Sequence, residues 1–256
     1  MKITFLGTGT SQGVPVIACE CEVCSSHDHH DKRLRVSVLL EIEGKNLVID
    51  AGPDFRYQML RAGVKNLDAI LFTHEHKDHV AGLDDIRAFN YKQQSEIDIY
   101  AHRRVQDALK REFHYIFSGN NYPGIPQLKL NDIEDDKTFA VAGIEIIPIT
   151  VMHFQLPVYG FRIGNFTYIT DAKTISDEQK EKIRGTEILV VNALQKESHI
   201  SHFTLSEALD FAAEINAHKT YITHVSHRLG THHEISRELP VGVFLAYDGL
   251  ELEVRS

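Results

Sequence analysis

The chain has 256 residues, of which 43% are hydrophobic and 25% are charged, so it is long and apolar enough to bury a large core. Its formal net charge of −9 argues against a general nucleic-acid binder, because phosphate contacts need clustered Lys and Arg. The apolar stretch at the N-terminus is too short for a signal peptide and no long apolar run follows, so we expect a cytoplasmic protein with no membrane partner.

The first predicted elements are a strand and a glycine-rich turn. Ile3–Leu6 has the pattern of a strand, and Gly7–Gly13 follows it. The turn lacks the Lys-Ser/Thr ending of a phosphate-binding loop, and no helix pattern comes after it. We therefore interpret it as a tight turn that leads into the next segment.

That next segment contains the three cysteines of the chain, Cys19, Cys21 and Cys24. An odd, clustered set is poorly suited to disulfides and typical of thiolate–metal binding, although three free surface thiols are the alternative. Three thiolates leave a tetrahedral zinc one ligand short, so a histidine must complete the site. The candidates for that ligand are His27, His29, His30 and, far along the chain, His227.

A hairpin is predicted after the cysteine segment. The apolar runs Val36–Ile42 and Leu47–Ile49 flank a short turn that contains Gly44. Asp50 directly follows the second strand. A carboxylate at this position is either a simple turn residue or part of a functional site.

The strongest signal of the sequence follows the short apolar run Ala69–Phe72. His74, His76, Asp78 and His79 fall within six residues there. His74 and His76 lie on the same side of an extended segment, so they can bind one metal ion, and the turn after them can direct Asp78 and His79 to a second ion. A solvated histidine-rich loop is the alternative in a chain with 16 histidines.

Three strands in the second half also end in residues that can bind a metal. They are Ile144–Val151, which contains Pro148 and is therefore expected at an edge or bulge, the hairpin Phe161–Thr170, and Tyr221–Thr223, and they lead to His153, Asp171 and His224. Any one of these residues alone is ordinary at a strand end. Together with His74 they form one pattern, because open α/β sheets build their sites at strand ends.

Two further features lie in the last quarter of the chain. Thr204 and Glu207 form a capping-box pattern at the start of a predicted helix, which leaves His202 just outside the helix N-terminus, where anions bind favourably. A surface histidine before a helix cap is the alternative. Asp248-Gly249 lies between two apolar runs, 243–247 and 250–254, and predicts a two-residue hairpin.

The His-x-His-x-Asp-His motif after an apolar strand resembles the metallo-β-lactamase superfamily, and the resemblance extends from Ile3 to Val254. It implies an α/β fold, a single domain over 1–256 with two mixed sheets face to face and helices outside. It also implies the metal ligands: His74, His76 and His153 for one ion, Asp78, His79 and His224 for the other, and Asp171 as the bridge. Asp50 would orient a ligand histidine.

The Leu-Gly-Thr-Gly-Thr-Ser opening and the cysteine cluster resemble one branch of that superfamily, the phosphoribosyl cyclic phosphodiesterases. In that branch a histidine far along the chain is the fourth ligand of a structural zinc, and it corresponds to His227. The His-x-Thr pattern at His202 resembles the phosphodiesterase branches, including the enzyme that trims transfer-RNA 3′ ends, in which this histidine serves the leaving group. A homodimer is expected on the same resemblance.

The sequence therefore predicts a dinuclear-metal phosphodiesterase for a small phosphodiester, with a cyclic ribosyl phosphate as the substrate that the resemblance implies. Two ions can share a hydroxide, lower its pKa and neutralise the phosphoryl oxygens as it attacks. Histidine-rich ligation favours zinc, with manganese or iron as alternatives. The rival functions are a transfer-RNA 3′-processing nuclease, a thioester or lactone hydrolase, and a metal-binding structural or sensor protein.

Overall fold

The computed structural model describes residues 1–119 and 122–254. Within these ranges, fourteen strands form two seven-stranded sheets. The first sheet contains β1 (Lys2–Gly7), β2 (Ser37–Ile42), β3 (Lys45–Ile49), β4 (Ala69–Leu71), β5 (Ile97–Ala101), β6 (Leu128–Asp132) and β14 (Glu251–Glu253). The second contains β7 (Phe139–Val141), β8 (Ile144–His153), β9 (Leu156–Ile163), β10 (Phe166–Tyr168), β11 (Ile188–Asn192), β12 (Lys219–Thr223) and β13 (Val243–Leu245).

Both sheets are mixed. The first has the order β14-β1-β2-β3-β4-β5-β6, with antiparallel pairs from β14 to β3 and parallel pairs from β3 to β6. The second has the order β13-β12-β11-β10-β9-β8-β7, parallel from β13 to β10 and antiparallel beyond. Parallel neighbours bring their carboxyl ends to one edge, which is where a site can form.

Helices alternate with the strands along the chain, and they pack on the outer faces of the two sheets. They are α1 (Glu22–Ser25), α2 (Phe55–Arg61), α3 (Lys77–Val80), α4 (Arg87–Gln93), α5 (Arg103–Glu112), α6 (His114–Phe117), α7 (Asp177–Ile183), α8 (Leu205–Ile215) and α9 (His232–Glu238). Among the described residues, no helix is long and apolar enough to cross a membrane.

Three hydrophobic clusters join these layers. One lies between the sheets and includes Phe5, Leu40 and Phe161. The two others lie on the outer faces, where Val48 packs with residues of α2 and α5, and Val191 with residues of α8. Strands that are buried on both faces read as continuous apolar runs, which explains why the sequence signals them so clearly. The architecture confirms the predicted α/β fold of two mixed sheets with outer helices.

The predicted hairpin around Asp248-Gly249 is wrong. β13 pairs with β12 in the second sheet, whereas β14 pairs with β1 in the first, so the chain passes from one sheet to the other here. The Asp248 carboxylate accepts hydrogen bonds from Thr8 Oγ1 and Leu34 N, both at 2.8 Å. The Asp248 carboxylate therefore bonds to residues far away in the chain and not to the residues of a local hairpin.

The prediction for Pro148 agrees with the sheet order. β7 pairs with β8 from Ile144 to Ile146, so among the described strands none pairs with the outer side of β8 at the proline. A residue without an N–H is tolerated at such an edge.

Candidate metal centres

The predicted strand-end residues meet at one edge, where the two sheets come together. Thr73, which follows β4, accepts a hydrogen bond through its carbonyl from Tyr159 N of the second sheet at 3.0 Å. His74 comes next, β8 ends at His153, and His224 directly follows the end of β12. The rings of His74 and His153 are 6.0 Å apart between centroids, so residues 79 positions apart in the chain are neighbours.

Asp78, His79 and His224 form a compact set. Nε2 of His79 lies 3.3 Å from an Asp78 carboxylate oxygen, and Nε2 of His224 lies 3.7 Å from the same oxygen. One donor atom from each residue falls within 4.8 Å of the others. A tetrahedral ion with nitrogen ligands at about 2.0–2.1 Å separates its donor atoms by about 3.3 Å. The spacing therefore fits a single ion.

His74, His76 and His153 form a looser set. His74 Nε2 lies 3.0 Å from His76 Nδ1, and the His153 ring centroid is 5.2 Å from that of His76. Nδ1 of His153 donates to the Ser201 carbonyl at 2.9 Å, which leaves Nε2 free to bind an ion. The hydroxyl of Thr73 lies 3.0 Å from His74 Nδ1, so the free nitrogen of His74 also faces the site.

Asp171 lies between the two sets. Its Oδ2 is 3.3 Å from His79 Nε2, and its Oδ1 is 3.3 Å from His224 Nε2. Thr170 Oγ1 donates to Oδ2 at 2.7 Å and helps to orient the carboxylate. A carboxylate oxygen of Asp171 also lies within 4.8 Å of a ring nitrogen of His74 and, in a separate group with His202, of a ring nitrogen of His153, so Asp171 faces the first set as well.

Buried nitrogens give a test of whether metal ions fit this site. Among the residues that the structure describes, Nε2 of His79 and both ring nitrogens of His224 are buried without a hydrogen-bond partner. An unsatisfied buried polar group costs about 1–3 kcal/mol, so such atoms usually serve a ligand. Imidazole and carboxylate donors suit zinc, with manganese or iron as the oxygen-tolerant alternatives. The donor set therefore fits divalent cations.

Asp50 contacts the site through His79. Its Oδ2 lies 2.7 Å from His79 Nδ1, and its Oδ1 accepts a hydrogen bond from Thr73 N at 2.9 Å. Both Asp50 and His79 are completely buried. The carboxylate thus orients the His79 ring with Nε2 towards Asp78 and Asp171, which is the position that the resemblance implies for Asp50. Thr73, which no sequence pattern indicates as a site residue, binds the Asp50 carboxylate through its backbone N–H and its hydroxyl.

Three of these residues have a backbone conformation that side-chain-bearing residues rarely adopt. The φ angles are 63° at Asp50, 57° at Asp171 and 55° at His224. Non-glycine residues with positive φ are uncommon, and such strain concentrates at functional sites. Here it turns the chain abruptly after β3 and β12 and directs the side chains into the shared edge.

The charges of the site depend strongly on one another. Burial lowers the pKa of His74 well below its ordinary value and keeps the ring neutral. Burial also opposes charge on His79, but Asp78, Asp50 and Asp171 together raise the pKa of His79 well above its ordinary value. A cation that binds among the same carboxylates would displace that proton, because metal binding and protonation compete for the nitrogen.

His202 lies at the side of the site, three residues before the first residue of α8, Leu205. The predicted capping box at Thr204 and Glu207 is present, and the His202 side chain is buried. Its ring centroid is 4.5 Å from that of His153 and 4.9 Å from that of His224. Burial, with a smaller contribution from His224, lowers the pKa of His202 to about 3. The imidazole is therefore neutral at pH 7 unless an anion binds beside it.

The cysteine segment forms a second cluster with His227. The Nδ1 atom of His227 lies 3.2, 3.4 and 3.5 Å from the sulfurs of Cys19, Cys21 and Cys24. One ring nitrogen cannot hydrogen-bond to three thiols at once, since it has one proton or one lone pair in the ring plane. A tetrahedral zinc with ligands at about 2.3 Å for sulfur and 2.0–2.1 Å for nitrogen would give separations of about 3.5 Å.

Of the local alternatives for the fourth ligand, His30 already has other partners. Nδ1 of His30 bonds to Asp28 at 2.8 Å, and its ring stacks on His232 at 4.6 Å. The pKa values of the cysteine thiols also depend on their close packing. A hydrogen bond from the Cys24 backbone is the main reason that the pKa of Cys21 falls to about 6, whereas burial raises the pKa of Cys24 to about 11. A dication would allow all three to be thiolates together.

The two clusters share one backbone segment. Val225 N donates to the Thr8 carbonyl at 2.9 Å, and Thr10 N donates to the Val225 carbonyl at 3.1 Å. His224 and His227 flank this residue on the two sides. The glycine-rich turn is thus a backbone support for the site, in agreement with its interpretation as a turn.

The fold and the paired metal-binding sets define a metal-dependent hydrolase of the metallo-β-lactamase fold. Residues 45–225 match the family model described as "Beta-lactamase superfamily domain", and the chain belongs to this superfamily. A crystal structure described as a new diphosphatase from the PhnP family has a TM-score of 0.93 and 41% sequence identity, covering 99% of this chain and 98% of that one. Within the superfamily, the chain is therefore a member of the PhnP-like branch, which is the branch that the N-terminal motif and the cysteine cluster resemble. The resemblance to the superfamily and the resemblance to this branch are both confirmed.

Two relatives extend the comparison. A Porphyromonas gingivalis protein named octanoyltransferase is 42% identical over 253 residues, which are 98% of this chain but 51% of that protein. The chain thus spans about half the length of this relative. A ribonuclease Z of Bradyrhizobium diazoefficiens is 24% identical over 288 residues, covering 88% of this chain and 90% of that protein.

Proposed function

We propose that the chain is a two-metal phosphodiesterase that cleaves a small phosphate ester. The observation that carries this proposal is the position of Asp171 between the two sets. Its oxygens lie 3.3 Å from Nε2 of His79 and of His224 in the second set, and a carboxylate oxygen also falls within 4.8 Å of a ring nitrogen of His74 and of His153 in the first. A carboxylate so placed can neutralise two cations and hold them close together. The 41% identity to a PhnP-family diphosphatase supports a phosphorus centre as the target.

In this proposal each set of donors holds one ion. His74, His76 and His153 hold the first, Asp78, His79 and His224 the second, and Asp171 contacts both. When bound, two such cations activate a water molecule and neutralise phosphoryl oxygens. The protein residues supply the geometry, since Asp50 orients His79 and the Ser201 carbonyl orients His153.

His202 is proposed to protonate the leaving group. Its Nδ1 is buried without a hydrogen-bond partner among the described residues and lies 3.7 Å from Asp171 Oδ1, so the ring borders the space where a substrate would bind. A phosphodiester brings negative charge to this space. That charge would raise the low pKa of the imidazole, allow it to hold a proton, and place the proton next to the departing oxygen.

The substrate class is a small phosphate ester. A cyclic ribosyl phosphodiester, which the sequence resemblance implies, and a diphosphate, which the name of the 41% identical structure indicates, both present an anionic phosphoryl group with an oxygen leaving group. A long transfer-RNA substrate is less suited to the chain, because its net charge of −9 opposes extended phosphate contacts. A structural zinc held by Cys19, Cys21, Cys24 and His227 completes the proposal.

A thioester hydrolase is the second candidate. The specific observation in its favour is the relative named octanoyltransferase, since octanoyl groups are commonly carried as thioesters. The alignment covers only 51% of that protein, so the name belongs to a chain about twice as long. His202 also favours the phosphodiesterase, because a thiolate leaves without a proton donor more readily than an alkoxide does.

One experiment separates these functions. The purified protein is assayed with bis(p-nitrophenyl) phosphate and with S-octanoyl-N-acetylcysteamine, and its metal content is measured by elemental analysis. We expect three ions per chain and hydrolysis of the phosphate ester that a chelator abolishes. His224→Ala is the matched control, because it keeps the cysteine site and removes one donor of the other. Thioester hydrolysis without phosphodiester hydrolysis would reverse the proposal.

A further inference from the structure

Two exposed apolar residues are next in the chain to residues at the metal-binding edge. Phe154 is 54% exposed and directly follows His153, and Ile200 is 67% exposed and directly precedes Ser201. His153 Nδ1 donates to the Ser201 carbonyl at 2.9 Å, so each apolar residue is one position from an end of the same hydrogen bond. Phe154 and Ile200 together are called the apolar rim below.

The backbone at Phe154 is as unusual as its exposure. Phe154 lies in the two-residue turn between β8 and β9, with His153 paired to Leu156, and its φ angle is 55°. Asn, Asp and Gly are the residues that usually occupy such a position, and a bulky residue there is strained. The chain therefore accepts both strain and an exposed aromatic ring at one residue beside the site, where neither feature stabilises the fold.

The surroundings of the apolar rim are also rich in flat rings. The His153 and His202 ring centroids are 4.5 Å apart, and those of His202 and His199 are 5.1 Å apart. These rings form a row that runs from the metal-binding residues to the loop that carries Ile200. Flat π surfaces with an apolar border favour stacking of a planar group.

We propose that the apolar rim binds a planar aromatic group, such as a nucleobase, that is attached to the phosphate ester. The inference rests on the proposed function, since the metal-binding residues would hold the phosphate while Phe154 stacks on the ring and Ile200 covers its edge. Docking of a partner protein is a poorer explanation. A stable protein interface buries about 1,200–2,000 Å², far more than two side chains supply.

The test is a calorimetric titration of the metal-loaded protein with AMP and with ribose 5-phosphate, which share the sugar and phosphate and differ in the base. We expect AMP to bind about tenfold more tightly, the usual scale of one stacked base. In Phe154→Asn the AMP advantage should fall to about twofold or less, with ribose 5-phosphate affinity unchanged. Asn suits the positive φ, so the melting temperature should not fall.

Two further variants complete the design. Ile200→Ala should reduce AMP affinity in the same direction and keeps a test available if Phe154→Asn folds poorly. Val241→Ala removes an exposed apolar side chain two residues before β13, at the end of the sheet opposite to His224, and should change neither affinity. Equal binding of AMP and ribose 5-phosphate to the native protein would contradict the proposed role of the apolar rim but not the proposed phosphodiesterase function. An equal loss for both in Phe154→Asn would contradict the role of the rim too, and binding of neither would refute both proposals.

Discussion

The two metal-binding clusters are built in opposite ways. The histidine–aspartate cluster takes its donors from strand ends of both sheets and from α3. Four of its donors, His74, His79, Asp171 and His224, are at most 2% exposed, although His76 is exposed. The cysteine cluster takes three donors from a stretch of six residues and one from His227, and Cys21 is exposed. A small apolar cluster around Val14 and Val23 packs against that stretch.

The difference shows what each cluster contributes. A buried frame holds its donors in place before any ion binds, as the hydrogen bonds of Asp50 to His79 and Thr73 show. Such preorganisation is what a reaction requires. The cysteine segment has little packing of its own, so an ion there would order the chain and stabilise the fold. The following predictions test this contrast, in order of their expected effect on turnover.

Asp171→Asn should have the largest effect. The change removes the negative charge between two cations, whose repulsion should then expel one of them. Metal analysis should show a loss from about three ions to two or fewer, and the rate should fall on the order of 10³-fold or more. Unchanged stoichiometry with an unchanged rate would show that Asp171 does not bridge, and the contrast between the clusters would lose its main support.

His202→Ala should have a large effect that depends on the leaving group. Proton transfer by a positioned histidine typically contributes about 10²–10⁴-fold, so hydrolysis of an alkyl ester should slow on that scale with both metals retained. p-Nitrophenolate departs without much help, so its ester should lose far less. Equal losses for both esters would make His202 a binding residue, and no loss would return it to the role of a residue before a helix cap.

Asp50→Asn should have a moderate effect. Asn preserves the shape but removes the charge that orients His79, and such partners typically contribute about 10–100-fold to metal affinity or activity. Competition with a chelator should show weaker binding of one ion, while the ions held by His74 and by the cysteines remain. If chelator competition were identical to that of the native protein, the hydrogen bond between Asp50 and His79 would be only structural.

Cys21→Ala should have the smallest effect on turnover. We expect loss of one zinc and a melting temperature lower by about 5–15 °C, as for a stability loss of a few kcal/mol, while the folded fraction turns over at a similar rate. His227→Ala should behave in the same way, because it removes a donor of the same cluster. A stable Cys21→Ala protein without activity would reverse the assignment of the two clusters.

Much of the fold and site follows from local patterns in the sequence. β4 is buried throughout, β2 has one exposed residue, and β3 ends in the buried run Leu47–Ile49, so these apolar runs reveal the strands themselves. The spacing of His74, His76, Asp78 and His79 is likewise a local property. The capping box at Thr204 is satisfied by residues three positions apart and is therefore readable without the fold.

The tertiary structure decided what depends on distant partners. Asp248-Gly249 has the sequence of a hairpin, yet its neighbours join different sheets, because β12 and β1 offer them longer-range pairing. The selection of His227 over His30 similarly depends on where a segment 203 residues after Cys24 returns. Sequence alone determined which residue types can bind metals and which runs can be strands. Only the packed chain determined which of them meet, because hydrogen bonding and burial between distant segments outweigh local preference.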